Sequence, residues 1–418
     1  MQPTTNDFDE TNRALFTREA SVTITIERAD GRTPFISDDD LISFNHIKNG
    51  DALSGTLAQD KIIFTARNSN NRLDYDESDA GVYENALVKV LEGFMNPERT
   101  AYDSVSGGTY YISSVKKGVR NDRYQFTAQT ILGFMTEKFN QSVSSSNNAY
   151  DIACDVITQA EQSKGVPAST ITLICSKTLL KSVTIDLRYG QDNYSLAEVL
   201  QLIAAACRCI LYVDRENRIH IEQISDVTEH YVLSSRFQYS PLTVEYADKI
   251  GNVTLFSNHG QTVTGTDFEG DKIGGNQTMS IPILDDFAAQ NDLVFYAYAM
   301  LTKGRRRFKA KCRFNPAVDL FDIVIVPNGK DVSVAIVTSI SASFNGAWKA
   351  DLQLMALDPQ MVTLDMRICD IELLTIEQLE SVRIEQLEPN TISDIDGDYI
   401  ATIDGELALW KGGLTVNG

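Results

Sequence analysis

The chain has 418 residues, of which 43% are hydrophobic and 22% charged; that suits two to four domains of roughly 100–200 residues each and excludes wholesale disorder, collagen-like and low-complexity classes. Its formal net charge of −20, from 57 acids against 37 bases, argues against a protein whose main task is to grip phosphates.

Residues 1–20 lack the positive region and apolar run of an export signal, so Sec export is not expected and the segment reads as a flexible arm. From Ser21 the sequence alternates strictly between apolar and polar residues, which predicts a half-buried strand over 22–27 closed by an Asp30-Gly31 turn. Further strands are predicted at 41–47, 61–67, 109–115 and 123–130, from β-branched and aromatic runs separated by Gly, Asn, Asp and Ser. Residues 83–94 alternate little and fit either a strand or a short helix.

A polar run at 142–148 marks a boundary near residue 145, after which Ile152, Ala153, Val156, Ile157 and Ala160 recur at helical spacing. Ser195-Leu-Ala-Glu198 is a capping box that starts a helix running to about Ala206. Residues 209–213, a polar turn at 214–217 and residues 218–222 predict a β-hairpin behind that helix. The longest apolar stretch, 196–213, is interrupted by Glu198, Gln201 and Arg208 and predicts no membrane span.

Strands dominate again from 242 to 357, at 252–256, 308–314, 322–326, 332–339 and 348–355, with a helix at 285–302 between them. From about Met361 the chain holds twelve acids against three bases and two near-copies, Thr375-Ile-Glu-Gln-Leu-Glu380 and Arg383-Ile-Glu-Gln-Leu-Glu388. Such a repeat suits a small stacked or oligomeric element, and a single amphipathic helix ending before Pro389 fits as well. The chain thus divides into an arm (1–20), a first β region (21–144), an α/β region (145–240), a second β region (241–360) and an acidic C-terminal element (361–418).

Residues with chemistry are sparse. The four histidines, His46, His220, His230 and His259, stand in no HExxH motif and beside no GxSxG elbow. His220 alternates with Ile219 and Ile221 and is expected to face solvent. Gly265-Thr-Asp-Phe-Glu-Gly270-Asp-Lys272 lacks the Gly-Lys pair of a phosphate loop and reads as a polar loop. Six scattered cysteines without a CxxC pair point to synthesis in a reducing cytoplasm and to core packing, Cys207 and Cys209 included. Asp394, Asp396 and Asp398 gather hard oxygen ligands near glycine and are weak calcium candidates, although their spacing is not that of an EF-hand. No cofactor is implied. One basic cluster stands out, and strand alternation would set Arg305, Arg307, Lys309 and Lys311 on one face, as a stripe for contact between subunits.

Three segments together resemble phage tail-hub proteins, also called tail-associated or baseplate-hub proteins. The first comprises Asp39-Asp-Leu-Ile-Ser-Phe44, Lys61-Ile-Ile-Phe-Thr-Ala-Arg-Asn68 and Leu73-Asp-Tyr-Asp76. The second is the helix from Ser195 with Cys209-Ile-Leu-Tyr-Val-Asp-Arg-Glu-Asn-Arg-Ile-His-Ile-Glu222. The third runs from Asn315-Pro-Ala-Val-Asp-Leu-Phe-Asp-Ile-Val-Ile-Val326 into Val337-Thr-Ser-Ile-Ser-Ala-Ser-Phe-Asn-Gly346 and Lys349-Ala-Asp-Leu352. Where such hubs often carry glycine in the turn before the Asp-Ile-Val strand, this chain has Phe321.

The resemblance implies an α+β, mainly β chain in which two β-barrel-like hub domains flank an α/β domain, with a small C-terminal element. It further implies a ring-forming homotrimer in the virion tail tip, assembled in the host cytoplasm. Implied partners are the tail tube or distal tail ring protein, tip or fibre proteins at the C-terminal side, the tape-measure protein and passing DNA. An acidic wall suits a conduit along which DNA slides without specific binding. No enzymatic activity is expected. A receptor- or carbohydrate-binding tail protein and a glycan-degrading tail enzyme are the alternatives.

Overall fold

A computed structural model describes residues 19–357, except 76–80, 96–100, 119–121, 141–146, 165–168, 188–193, 227–229, 259, 266–273 and 329–330, together with two strands near the C-terminus. The first region folds into β1 (Ala20–Glu27), β2 (Phe35–Ile36), β3 (Leu41–Asn49), β4 (Gln59–Arg67), β5 (Leu87–Met95), β6 (Tyr102–Lys117) and β7 (Arg123–Gln129). Alternation works as expected in β1, where Val22, Ile24 and Ile26 are buried and the intervening Thr23 and Thr25 are half-buried. The undecided segment is resolved as strand β5. Its weak alternation has a cause: Val88, Val90, Glu92 and Phe94 all face inward, but a charged residue, Glu92, holds one buried place and an apolar one, Leu91, an exposed place.

The middle of the chain forms α1 (Ile131–Phe134), α2 (Ala149–Lys164), β8 (Leu173–Cys175), α3 (Lys177–Ser182), α4 (Leu196–Ala206), β9 (Ile210–Val213) and β10 (Ile219–Glu222). The capping box is present as read: Ser195 Oγ accepts from the Glu198 amide, and Glu198 Oε2 accepts from the Ser195 amide at 2.7 Å. There follow β11 (His230–Val232), β12 (Thr243–Tyr246), β13 (Ile250–Ser257), β14 (Gly260–Gly265), β15 (Gly275–Ser280) and α5 (Phe287–Lys303), which is N-capped by Asp286. The body ends with β16 (Arg306–Cys312), β17 (Ile323–Asn328), β18 (Asp331–Phe344) and β19 (Trp348–Ala356). Strands β20 (Ile400–Ile403) and β21 (Glu406–Leu409) pair antiparallel.

Packing does not follow chain order. Strands from both β regions join in one 13-stranded sheet with the path β12-β16-β19-β18-β3-β4-β7-β6-β5-β1-β2, open at both ends among the described strands. The join is the antiparallel pair β3–β18, from Phe44↔Phe344 to Asn49↔Ser339. On the same edge of β18, residues 331–336 pair with β17 instead. Side chains from both regions share one core, in which Trp348 of β19 lies 5.9 Å from Phe44 of β3 and 5.5 Å from Phe314, ring to ring. Strand β13 does not join this sheet. It lies between β14 and β15, and Val253 and Leu255 pack with Leu293, Val294 and Ala297 of α5 into the core of α2 and α4.

A third, smaller core seals the seam between these bodies with Ala52, Ile210, Met300, Phe321 and Ile336. Phe321 there has φ 68°, the left-handed region that costs a non-glycine residue about 1–2 kcal/mol. The turn before the Asp-Ile-Val strand thus holds Phe321 in the conformation that glycine adopts freely. Burial of the ring offsets its cost: Phe321 is 1% exposed, and a Cβ on Gly50 would stand 2.4 Å from it.

Candidate functional site

The densest group of charged side chains lies where β3, β4 and β5, the β9–β10 turn and the 315–322 loop meet. His46 and Lys48 follow Phe44 on the inward parity of β3; Asp60 precedes Ile62 on β4, and Glu92 follows Val90 on β5. The His46 ring nitrogens lie 3.1 Å from Glu92 Oε1 and 3.0 Å from Asp60 Oδ1. The Tyr110 hydroxyl donates to the Gly107 carbonyl and lies 2.7 Å from His46 Nε2, so it accepts from the ring. Burial and Lys48 act to lower the His46 pKa, but the carboxylates of Asp60 and Glu92 prevail and hold it above its ordinary value.

Lys48 pairs with Asp319 and stands 3.5 Å from Asp60 Oδ2. Arg215, from the β9–β10 turn, donates to Asp319 through Nε, to the Ser106 carbonyl at 2.6 Å and to the Val318 carbonyl at 3.1 Å. Burial would raise the Asp319 pKa, yet the two cations hold it well below the carboxylate range. Three basic groups thus face three acidic ones, and His46, Lys48, Glu92 and Arg215 are buried. A buried charge persists only when paired and hydrogen-bonded. The arrangement therefore fixes three separately coded segments in one register, and its charged groups are spent on each other rather than offered to solvent.

A second group adjoins it. His220 does not face solvent as alternation suggested; its side chain is 12% exposed because the Tyr212 ring stacks on it at 4.6 Å. Its Nε2 lies 3.0 Å from Asp214 Oδ2, and Nδ1 makes a 3.2 Å ion contact with Glu222. Burial opposes protonation, but these carboxylates raise its pKa to about 9. A pKa above the unfolded value of 6.5 stabilises the fold fully below about pH 6.5, and that contribution is lost as pH rises through about 9. The gap in melting temperature between the protein and His220→Gln is expected to shrink across this window. Thermal melts over the pH series check it, and a gap that stays constant would count against the ion pair.

Of the predicted interface stripe, Arg307, Lys309 and Lys311 share the exposed face of β16. Arg305 lies ahead of the strand, beyond the reach of its alternation, and is half-buried with Nε donating to the Ala247 carbonyl at 3.1 Å. Lys309 Nζ meets Glu245 Oε1 on β12 at 2.9 Å. Cys207 and Cys209 are buried, and burial pushes the Cys207 thiol up to about 12, so it stays protonated and inert. Asp394, Asp396, Asp398 and the near-repeats at 375–388 lie outside the described residues. Among the described residues no helix is long and apolar enough to cross a membrane, and no cluster of His, Cys, Asp or Glu is placed to hold a metal.

No family model matches the sequence, and no curated protein matches it. The fold is shared with phage and prophage tail proteins. The tail protein from Neisseria meningitidis is similar with a TM-score of 0.55 at 11% identity, covering 81% of this chain and 97% of that one. A 43 kDa tail protein from a Shewanella oneidensis prophage gives 0.51 at 10% identity, over 82% and 99%. A prophage tail protein from Listeria monocytogenes gives 0.50 at 7% identity, over 80% and 94%. At such identities the likeness is one of fold.

Proposed function

We propose that this chain is a structural virion protein of a phage tail tip: a trimeric hub that closes the tail tube and forms part of the DNA ejection channel. The observation that carries the reading is the fusion of two β regions into one sheet through β3–β18. Three copies of such a chain would set six sheet-bearing regions around an axis, each shaped as part of a barrel-like wall, and so meet a sixfold tube or distal ring. Likeness in fold to tail proteins over about four fifths of the chain supports it. Tip or fibre proteins would attach at the C-terminal side, and the tape-measure protein would occupy the lumen. The charge cluster supports a non-enzymatic role, because its groups are locked in ion pairs between segments.

A receptor-binding reading has one feature in its favour, a cleft of about 460 Å³ lined by Tyr75, Phe134, Gln129 and Lys164 among others. Solution mass and low-resolution imaging separate the two. The hub is expected to form a threefold ring with a central hole, alone or on mixing with the tail-ring protein. A monomer that ignores the ring protein and binds glycans would overturn it.

A further inference from the structure

The net charge of −20 hides a segregation. One face of the long sheet packs on the core; the opposite face is built by the outward residues of β16, β19, the 339–344 half of β18, β3, β4 and β7, none of them aromatic or fully buried. Arg307, Lys309 and Lys311 of β16 and Lys349 of β19 lie on it. Across the β3–β18 join it continues through Lys61 and Arg67 of β4 and Arg123 of β7, with Lys116 of β6 opposite Gln125. Against these eight bases the same strands and β12 set two acids, Glu245 and Asp351. The remainder is Ser339, Ser341, Ser343, Gln353, Thr65, Gln125 and other polar side chains, with Ile47, Ile63 and Met355 among them.

That composition decides between partners. Stable protein interfaces centre on desolvated aromatic and aliphatic anchors; this face has no aromatic one, and its apolar members, Ile47, Ile63 and Met355, are half-buried singles among the bases. Lys and Arg interleaved with Ser, Thr, Asn and Gln is the residue set that contacts phosphate and sugar. The bases extend over seven adjacent strands from β16 to β6, roughly 29 Å at about 4.8 Å per strand. Arg307, Lys309, Asn49, Ser339 and Gln353, with Glu245 and Asp51, also line a cleft of about 410 Å³ on this face.

We propose that the outward face of the 13-stranded sheet is a contact surface for the phosphate backbone of double-stranded DNA, weak and independent of sequence. The hub reading supplies the source of that DNA, but the binding itself is measured without it. Without stacking aromatics the face holds backbone only, and its cations offset the repulsion that the chain's net charge would otherwise impose on passing DNA.

The test is fluorescence anisotropy of a labelled 30-base-pair duplex with the full chain, in about 50 mM salt and in a rising salt series. Micromolar binding is expected, unchanged between two unrelated sequences. The variant Arg307→Ser/Lys309→Ser/Lys311→Ser is expected to bind at least about tenfold more weakly and to lower the slope of log K against log salt by about 3. The control Lys177→Ser/Lys181→Ser, whose exposed side chains lie on α3 away from the face, is expected to bind as the parent does. Absence of duplex binding at low salt, equal loss in the control, or retention of polyglutamate alone would overturn the proposal, the last in favour of an acidic protein partner. Should the chain bind DNA yet form no ring, the hub reading fails and this one stands.

Discussion

Replacing Asp319 with alanine is expected to cost about 3–5 kcal/mol and to lower the melting temperature by roughly 5–15 °C. The carboxylate is the shared partner of Lys48 and Arg215, both buried, one from β3 and one from the β9–β10 turn. Its removal takes the carboxylate from Arg215 and leaves Lys48 with Asp60 alone, at 3.5 Å, while both cationic side chains stay buried. The paired control is Lys48→Met/Arg215→Met/Asp319→Leu. Buried ion pairs exchanged as a set for apolar residues of similar volume are often neutral, so this triple variant is expected to recover most of the lost stability. Thermal and urea melts of both variants make the comparison, and a single Asp319→Ala variant that melts with the parent would show that the cluster does not hold the segments together.

The second large effect is expected at Trp348. Its ring is 1% exposed and meets Phe44, Phe314 and Phe344 at centroid distances between 5.2 and 5.9 Å, on both sides of the β3–β18 join. Truncation to alanine is expected to cost about 3–5 kcal/mol through lost burial and the cavity left behind. Trp348→Phe should retain well over half of that, because the indole Nε1 has no hydrogen-bond partner to lose. Urea unfolding midpoints of the two variants give the ratio. If alanine and phenylalanine cost the same, the ring is not packed as described.

Much of the fold was legible because local chemistry and burial agree. The Ser195–Glu198 box starts α4 at the expected residue, and the alternation at β1, β16 and β19 names the buried face correctly. Strand β13 reads as one more strand of the second β region, since its partners β14 and β15 and the apolar side of α5 are not visible in its own residues. The charge cluster was missed for a related reason. His46, Asp60, Glu92, Arg215 and Asp319 come from segments up to some 270 positions apart, and each is an ordinary polar residue in its own neighbourhood. A signal was nonetheless present: His46 and Lys48 share the parity of Phe44, Glu92 that of Val88 and Val90, and Asp60 that of Ile62 and Phe64. Charges on the core-facing parity of three strands require partners inside the protein, and sequence could have named the residues though not their pairing. The outward basic face was half visible, as the stripe on β16, while its continuation through β4 and β7 depends on the β3–β18 register.

That register also sets a timetable. Asn49 on β3 and Ser339 on β18 meet across 290 positions, which at about 5–20 residues per second takes a ribosome roughly 15–60 s to traverse. Throughout that interval the first β region can complete its own ladders, but β3 remains an edge with unpaired amides and carbonyls. An inward charge of β3 then has a use before the native partner arrives: Lys48, not yet met by Asp319 and its loop, makes that edge a poor template for a neighbouring nascent chain. The ion pairs that lock the finished body would therefore begin as a guard on the unfinished one, released from that duty when β18 emerges and takes its place beside β3.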